Sequence, residues 1–452
     1  MAQNGLKEAA GCIIASKEAR LMSRRFIGGL VLGMTTLAAA PVTFNKDVLP
    51  VMQKNCQVCH RPGEIGPMSF LTYESTRPWA KAIKAAVLTK KMPPWFADPQ
   101  YGHFMDDRRL PESDIHTLAA WADAGAPEGD PNDKPAPVVF REGWNIQPDV
   151  VFQMPEAYQV PARGTIEYTY IVIPTGFTKD TWVTAGEIRP GNRSVLHHVV
   201  ANIRPPGSLW MKDAKPGVPY VFGKRKSFLD SEGPGREHSF MVGYVPGMQP
   251  QRFDVDHSAM LVPAGSDIVF ELHYTTNGTA TEDRTKVGLT LAKEPPLKQF
   301  VSIGAQADDF VIAPGDAAAP GHAAVTFNQP VELADIQPHM HLRGKDLSFK
   351  LFYPTGESET VLSVPHYDFN WQIVYYFEKP LLLPKGTKLD ITGHWDNSAN
   401  NPYNPDPTAT VRWGEQSWEE MFGGPMAVII DRGIDPKTIV ARPVKTVANA
   451  AQ

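Results

Sequence analysis

Two residue patterns in this 452-residue chain can do redox chemistry. The first is Cys56-Gln57-Val58-Cys59-His60, the CxxCH pattern of c-type haem attachment. Two thiols at that spacing reach the two vinyl groups of one haem, and the histidine that follows reaches the iron. A zinc site would need further cysteines, and the only other one, Cys12, lies in the N-terminal leader. Met92, in Lys90-Lys91-Met92-Pro93-Pro94-Trp95, is the candidate sixth ligand. It sits in a rigid proline turn, and a thioether opposite histidine suits electron transfer rather than oxygen binding. His103 is the bis-histidine alternative, and Met68 is too close in sequence to His60 to wrap around the ring.

The second pattern is histidine placement. His339-Met340-His341 sets two imidazoles at i and i+2, which share one face of a strand while Met340 turns away. His197 and His198 are neighbours, so both reach one ion only at a strand end, bulge or twist. Pro190-Gly191-Asn192 just upstream favours irregular backbone there. His273 lies opposite the apolar face of its own strand pattern. Taken singly, each of these also fits an ordinary surface histidine, as His238, His257, His322 and His366 do. Glu419 and Glu420 read as solvated, and the stretch from His394 to Pro402 as an asparagine-rich turn, with support of a site or substrate contact as its alternative.

Residues 42–131 read as helical, with apolar residues at three-to-four spacing over 79–88 and 111–124. Glu112 and Asp114 suit the first turn of the second helix, and Gly125 and Pro127 stop it. Residues 132–148 form a polar, proline-rich linker. Beyond it the apolar period is two: Ile166, Tyr168, Tyr170 and Val172; Ile268, Phe270, Leu272 and Tyr274; Leu347, Phe349, Leu351 and Tyr353. The expected fold is multidomain. A small all-α cytochrome c domain at 42–131 precedes two all-β, jelly-roll-like sandwich domains at 149–300 and 301–445, divided just after Pro295-Pro296. A single CxxCH excludes a di-haem peroxidase.

Four stretches then take on a joint meaning: Asn192-Arg193-Ser194-Val195-Leu196-His197-His198-Val199-Val200, Phe270-Glu271-Leu272-His273-Tyr274-Thr275-Thr276-Asn277-Gly278, Gln337-Pro338-His339-Met340-His341-Leu342 and Trp418-Glu419-Glu420-Met421. In this order, over roughly residues 149–445, the chain resembles the type II copper monooxygenases, the family of peptidylglycine α-hydroxylating monooxygenase and dopamine β-monooxygenase. The resemblance implies two coppers per chain, one in each sandwich. His197, His198 and His273 would hold the electron-transfer copper; His339, His341 and Met421 would hold the oxygen-binding copper, with Met426 a nearby competitor for the thioether. Imidazole suits copper, and a thioether favours Cu(I).

The activity so implied is hydroxylation of a C–H bond of a small-molecule or peptide-like organic substrate by O2. The peptide-amidating members carry an arginine for the substrate carboxylate where this chain has Gln337, so a glycine-extended peptide is not the expected substrate. Ascorbate is the family's reductant. Here one haem c per chain, fed by a periplasmic electron donor, would replace or relay it. The alternative reading is a haem c electron-transfer protein whose β region binds copper without catalysis; a saccharide-binding module tethered to a cytochrome is a third.

Composition agrees with a folded, exported protein. With 42% hydrophobic and 21% charged residues the chain is globular rather than disordered. A net charge of −5, and −8 once the basic leader is set aside, excludes a nucleic-acid surface. Ser23-Arg24-Arg25, an apolar run over 26–37 and Ala38-Ala39-Ala40 form a bacterial export signal over residues 1–41, an uncleaved anchor being the alternative. No other stretch is long and apolar enough to cross a membrane, so the mature chain is expected to have no stable membrane span and to be periplasmic or secreted.

Overall fold

The computed structural model describes residues 41–140, 143–222, 239–245 and 248–440. The expected export signal lies, Pro41 apart, outside the described residues.

Period-two patterns become strands whose inward faces build two cores. On Asp267–Tyr274, Ile268, Phe270 and Leu272 are fully buried; on Gly344–Phe352, Leu347, Phe349 and Leu351 are. Thr169–Pro174 is buried on both faces. Ile171 enters the first core, while Tyr168, Tyr170 and Val172 pack under a covering segment that contributes Trp210 and Met211. Thr169–Pro174, Asp267–Tyr274, Leu196–Arg204 and Ser239–Tyr244 form one four-stranded sheet. Ala319–Thr326, Lys388–Trp395, Gly344–Phe352 and Ser358–Val364 form another. Both face a single nine-stranded sheet through the two cores.

That shared sheet overturns part of the expected fold class. Lys298–Ala307 pairs antiparallel with Phe422–Asp431 of the second half and parallel with Ser258–Val262 of the first. The boundary expected near residue 300 therefore falls inside a strand. Phe300, Ala334, Ala427 and Ile429 complete the core of the first half, and the described residues from Val42 onward form one compact unit. The halves are fused rather than tethered.

The all-α cytochrome c domain is the other correction. Helices do form at Ala80–Leu88 and Glu112–Asp123, with Glu112 and Asp114 in the first turn, and Leu118 and Trp121 sit in a small helical core. Yet the α-helices among the described residues are only 7, 4, 9 and 12 residues long. The chain between them does not close a domain. Trp95, Ala97 and Phe104 are buried in the core of the second half. Backbone bonds pin them there: Asp98 N–H donates to Ser363 C=O at 2.8 Å, Met105 N–H to Tyr376 C=O at 2.8 Å, and Glu378 N–H to His103 C=O at 3.0 Å. Short helices bury too little apolar surface to stand alone, and this segment covers its remaining aromatics by lying on the β region.

Among the described residues no helix is long and apolar enough to cross a membrane.

Candidate metal centre

His197 and His198 open the strand Leu196–Arg204. Leu196 pairs with Tyr274 and His198 with His273, so His197 is an extra residue bulged out of the ladder. A bulge turns two successive side chains toward one point. The result is a three-histidine cluster: Nδ1 of His198 lies 3.1 Å from Nδ1 of His197 and 3.4 Å from Nδ1 of His273, and the candidate ligand atoms all fall within 4.8 Å of one another. Tyr168 stacks on His273 at 4.6 Å and Phe369 on His197 at 5.4 Å, holding the rings in place. Burial lowers the basicity of all three imidazoles, and for His273 burial and the neighbouring His197 bring it to about 3. Neutral imidazole is the form that binds a metal.

His339 is held at the end of the strand Phe422–Asp431, in the shared sheet, by its N–H bond to Gly423 C=O, 2.8 Å. Met340 is fully buried in the second core, and His339 and His341 cross at 88° with ring centres 5.3 Å apart. Nδ1 of His339 lies 3.0 Å from Gln372 Oε1, and Nδ1 of His341 lies 3.2 Å from Glu419 C=O. An oxygen there can only accept, so each Nδ1 carries the hydrogen and each Nε2 is the nitrogen with the lone pair to ligate. Burial pushes these imidazoles down as well, to about 4 and about 3.

Met421 joins this group by tertiary folding. His198, His339, His341 and Met421 line one cavity of about 170 Å3. Met426 packs in the second core, on the strand Phe422–Asp431. Phe369 spans the two histidine sets, stacked on His197 and edge-on to His341 at 5.8 Å. The cavity wall also carries Glu271, Glu415, Gln306, Gln337 and Gln372, and no Lys or Arg among the described residues. Gln372 Nε2 is buried without a hydrogen-bond partner among the described residues.

Several supporting residues were not singled out by sequence. Glu420, expected to be solvated, is fully buried. Its Oε2 accepts from His341 N–H at 2.8 Å and Trp395 Nε1 at 3.1 Å, and its Oε1 from Arg343 N–H at 2.7 Å. The signal was there: on extended backbone the residue before a cavity-facing Met421 points inward. Asn397, from the asparagine-rich stretch, is buried and accepts from Arg343 Nε at 2.7 Å. Gln372 and Phe369 had no local signal. His257, His322 and His366 are exposed, and His238 lies outside the described residues.

At the CxxCH segment the turn after the helix Leu49–Asn55 is closed by His60 N–H donating to Cys56 C=O, 2.9 Å. Nδ1 of His60 donates to Met68 C=O at 3.3 Å, leaving Nε2 free, and the ring stacks on Phe70 at 4.4 Å. A Cβ on Gly66 would stand 2.6 Å from His60 Nδ1, so the ring fills the space glycine leaves. Burial pushes the Cys56 thiol up to about 12 and raises Cys59 too. Thiols so held are not an activated dithiol redox pair. These donors fit a covalently held haem. Met92 is half-buried after Ala80–Leu88, and His103 is exposed on the segment pinned to the second half.

No protein-family model matches the chain, and no curated protein sequence matches it. Among solved structures it overlaps a VP2 subviral particle of infectious bursal disease virus with 11% identity and a TM-score of 0.18, covering 68% of this chain and 78% of that one. The Gx strain of the same virus overlaps at 10% identity and 0.17, covering 65% and 75%. Overlaps that loose carry no argument about this chain.

Proposed function

We propose that the chain is a copper-dependent monooxygenase of the type II kind, which hydroxylates a C–H bond of an organic substrate with O2. The observation that carries this reading is the single cavity walled by His198, His339, His341 and Met421. His339, His341 and Met421 would hold the oxygen-binding copper, and His197, His198 and His273 the electron-transfer copper. Haem would be held by Cys56, Cys59 and His60. When bound, these groups supply the oxygen and one-electron chemistry that no side chain can.

The chain's own residues do the rest. Gln372 and Glu419 orient the two imidazoles through Nδ1, and Glu420 fixes the backbone at His341 and Arg343. Gln337, Glu271 and Glu415 line the same cavity. The mixed imidazole and thioether set argues for copper over zinc, which gains nothing from a thioether.

The test is metal content. The chain, expressed with haem maturation and loaded with copper, should hold one iron and about two coppers, and His339→Ala about one copper. Iron without stoichiometric copper in the wild type would withdraw the reading.

A further inference from the structure

The CxxCH segment is docked on the first half of the β region at one place. Arg61 donates from Nη1 to the carbonyls of Gln57 and Val58, inside the haem motif, at 3.1 and 2.5 Å, and from Nη2 to Glu64 at 3.2 Å. Glu64 in turn takes Nη1 of Arg193 at 3.1 Å. Arg193 also lies 5.6 Å from the centre of the Tyr244 ring and reaches its hydroxyl at 3.4 Å. All three partners are largely shielded: the side chains of Arg193 and Glu64 are 21% and 19% exposed, and Tyr244 is buried.

Two features tie this contact to the histidines. Arg193 sits on the turn that leads into His197, four residues on. Tyr244 pairs with Val199 across the sheet, the residue after His198. Tyr244 also lines both the cavity beside Cys59, about 50 Å3, and the cavity walled by His198. One aromatic side chain thus stands between the haem motif and the three-histidine cluster.

We propose that Arg193 and Tyr244 are the coupling contact through which an electron passes from the haem to the copper of His197, His198 and His273: Arg193 docks the haem segment through Glu64, and Tyr244 fills the gap behind it. This rests on the functional reading above. The step moves one electron; Fe(II) becomes Fe(III), Cu(II) becomes Cu(I), and no proton need move. Electron transfer through protein falls steeply with the gap to be crossed, so packed side chains in it matter more than driving force alone. Tyr244 acts as filler and not as a radical carrier, so its hydroxyl is dispensable and its ring is not.

Two measurements test this in Arg193→Ala, Tyr244→Phe and Tyr244→Leu, each checked for full haem and copper content. In copper-free haem protein, hydrogen exchange over residues 57–66 reads docking. It should rise at least tenfold in Arg193→Ala and stay at the wild-type rate in Tyr244→Phe. In copper-loaded protein reduced at the haem by a light pulse under anaerobic conditions, haem reoxidation reads transfer. It should slow at least tenfold in Arg193→Ala and Tyr244→Leu and stay within twofold in Tyr244→Phe. Wild-type reoxidation with every variant equally fast overturns the proposal and leaves the monooxygenase reading standing. No exchange change in Arg193→Ala overturns it too. A wild type holding both metals with no haem reoxidation overturns the proposal together with the electron-supply part of that reading.

Discussion

Glu420→Gln should weaken copper binding at His339, His341 and Met421 without removing any ligand. Glu420 presents two oxygens to three N–H donors: Oε1 to Arg343 N–H, and Oε2 to His341 N–H and Trp395 Nε1. Glutamine keeps one oxygen and turns an NH2 toward at least one donor, which is then buried with no acceptor. A buried unsatisfied donor costs about 1–3 kcal/mol. Loss of a residue that orients metal ligands typically costs about 10–100-fold in affinity, or about 1.4–2.7 kcal/mol at 1.36 kcal/mol per tenfold. The two ranges agree, so a loss of 10–100-fold is expected. The assay is Cu(I) competition with a chromophoric chelator in a His197→Ala background, which leaves the second site to be read alone. A parallel urea titration checks folding. An affinity unchanged within twofold would refute the argument, as would a loss matched wholly by unfolding.

Two further outcomes follow from burial. Asp335 is buried beside a cavity of about 10 Å3, with room for about one water, and its carboxyl is pushed from 3.8 to about 7. A folded-state value above the unfolded one means stability is fullest in acid and is lost as pH rises toward 7, here by about 4 kcal/mol between pH 4 and 8. Asp335→Asn should flatten that slope in urea midpoints taken across this range, and an unchanged slope would count against the burial argument. Phe104→Ala should cost about 3–5 kcal/mol in urea unfolding, as truncation of a buried aromatic does, in a single transition. A separate early transition confined to the helical segment would mean that this segment folds as its own domain after all.

Local patterns were legible where one element contains the whole signal. Three-to-four spacing marked the helices at Ala80–Leu88 and Glu112–Asp123, and period two marked Asp267–Tyr274 and Gly344–Phe352. The chemistry-bearing positions were legible for a related reason, since CxxCH and HxH are spacings short enough to survive any fold. The paired histidines His197 and His198 called for a strand end, bulge or twist, and the register shift shows which of these the fold uses.

What sequence alone determined, then, is which residues can do chemistry and which short elements carry them. Tertiary structure decided how those elements share their cores. The pattern cannot say that Trp95 and Phe104 would leave the helical segment for the second half, because an aromatic residue is satisfied by any apolar neighbour and burial energy is non-directional. It cannot say that Lys298–Ala307 belongs to both halves, because ladder partners lie more than a hundred residues away or on a parallel neighbour. Glu420 looks solvated on paper and is buried because three N–H donors converge on it, two of them from a segment nearly eighty residues earlier. A buried polar group is placed by its partners, and only the folded chain supplies them.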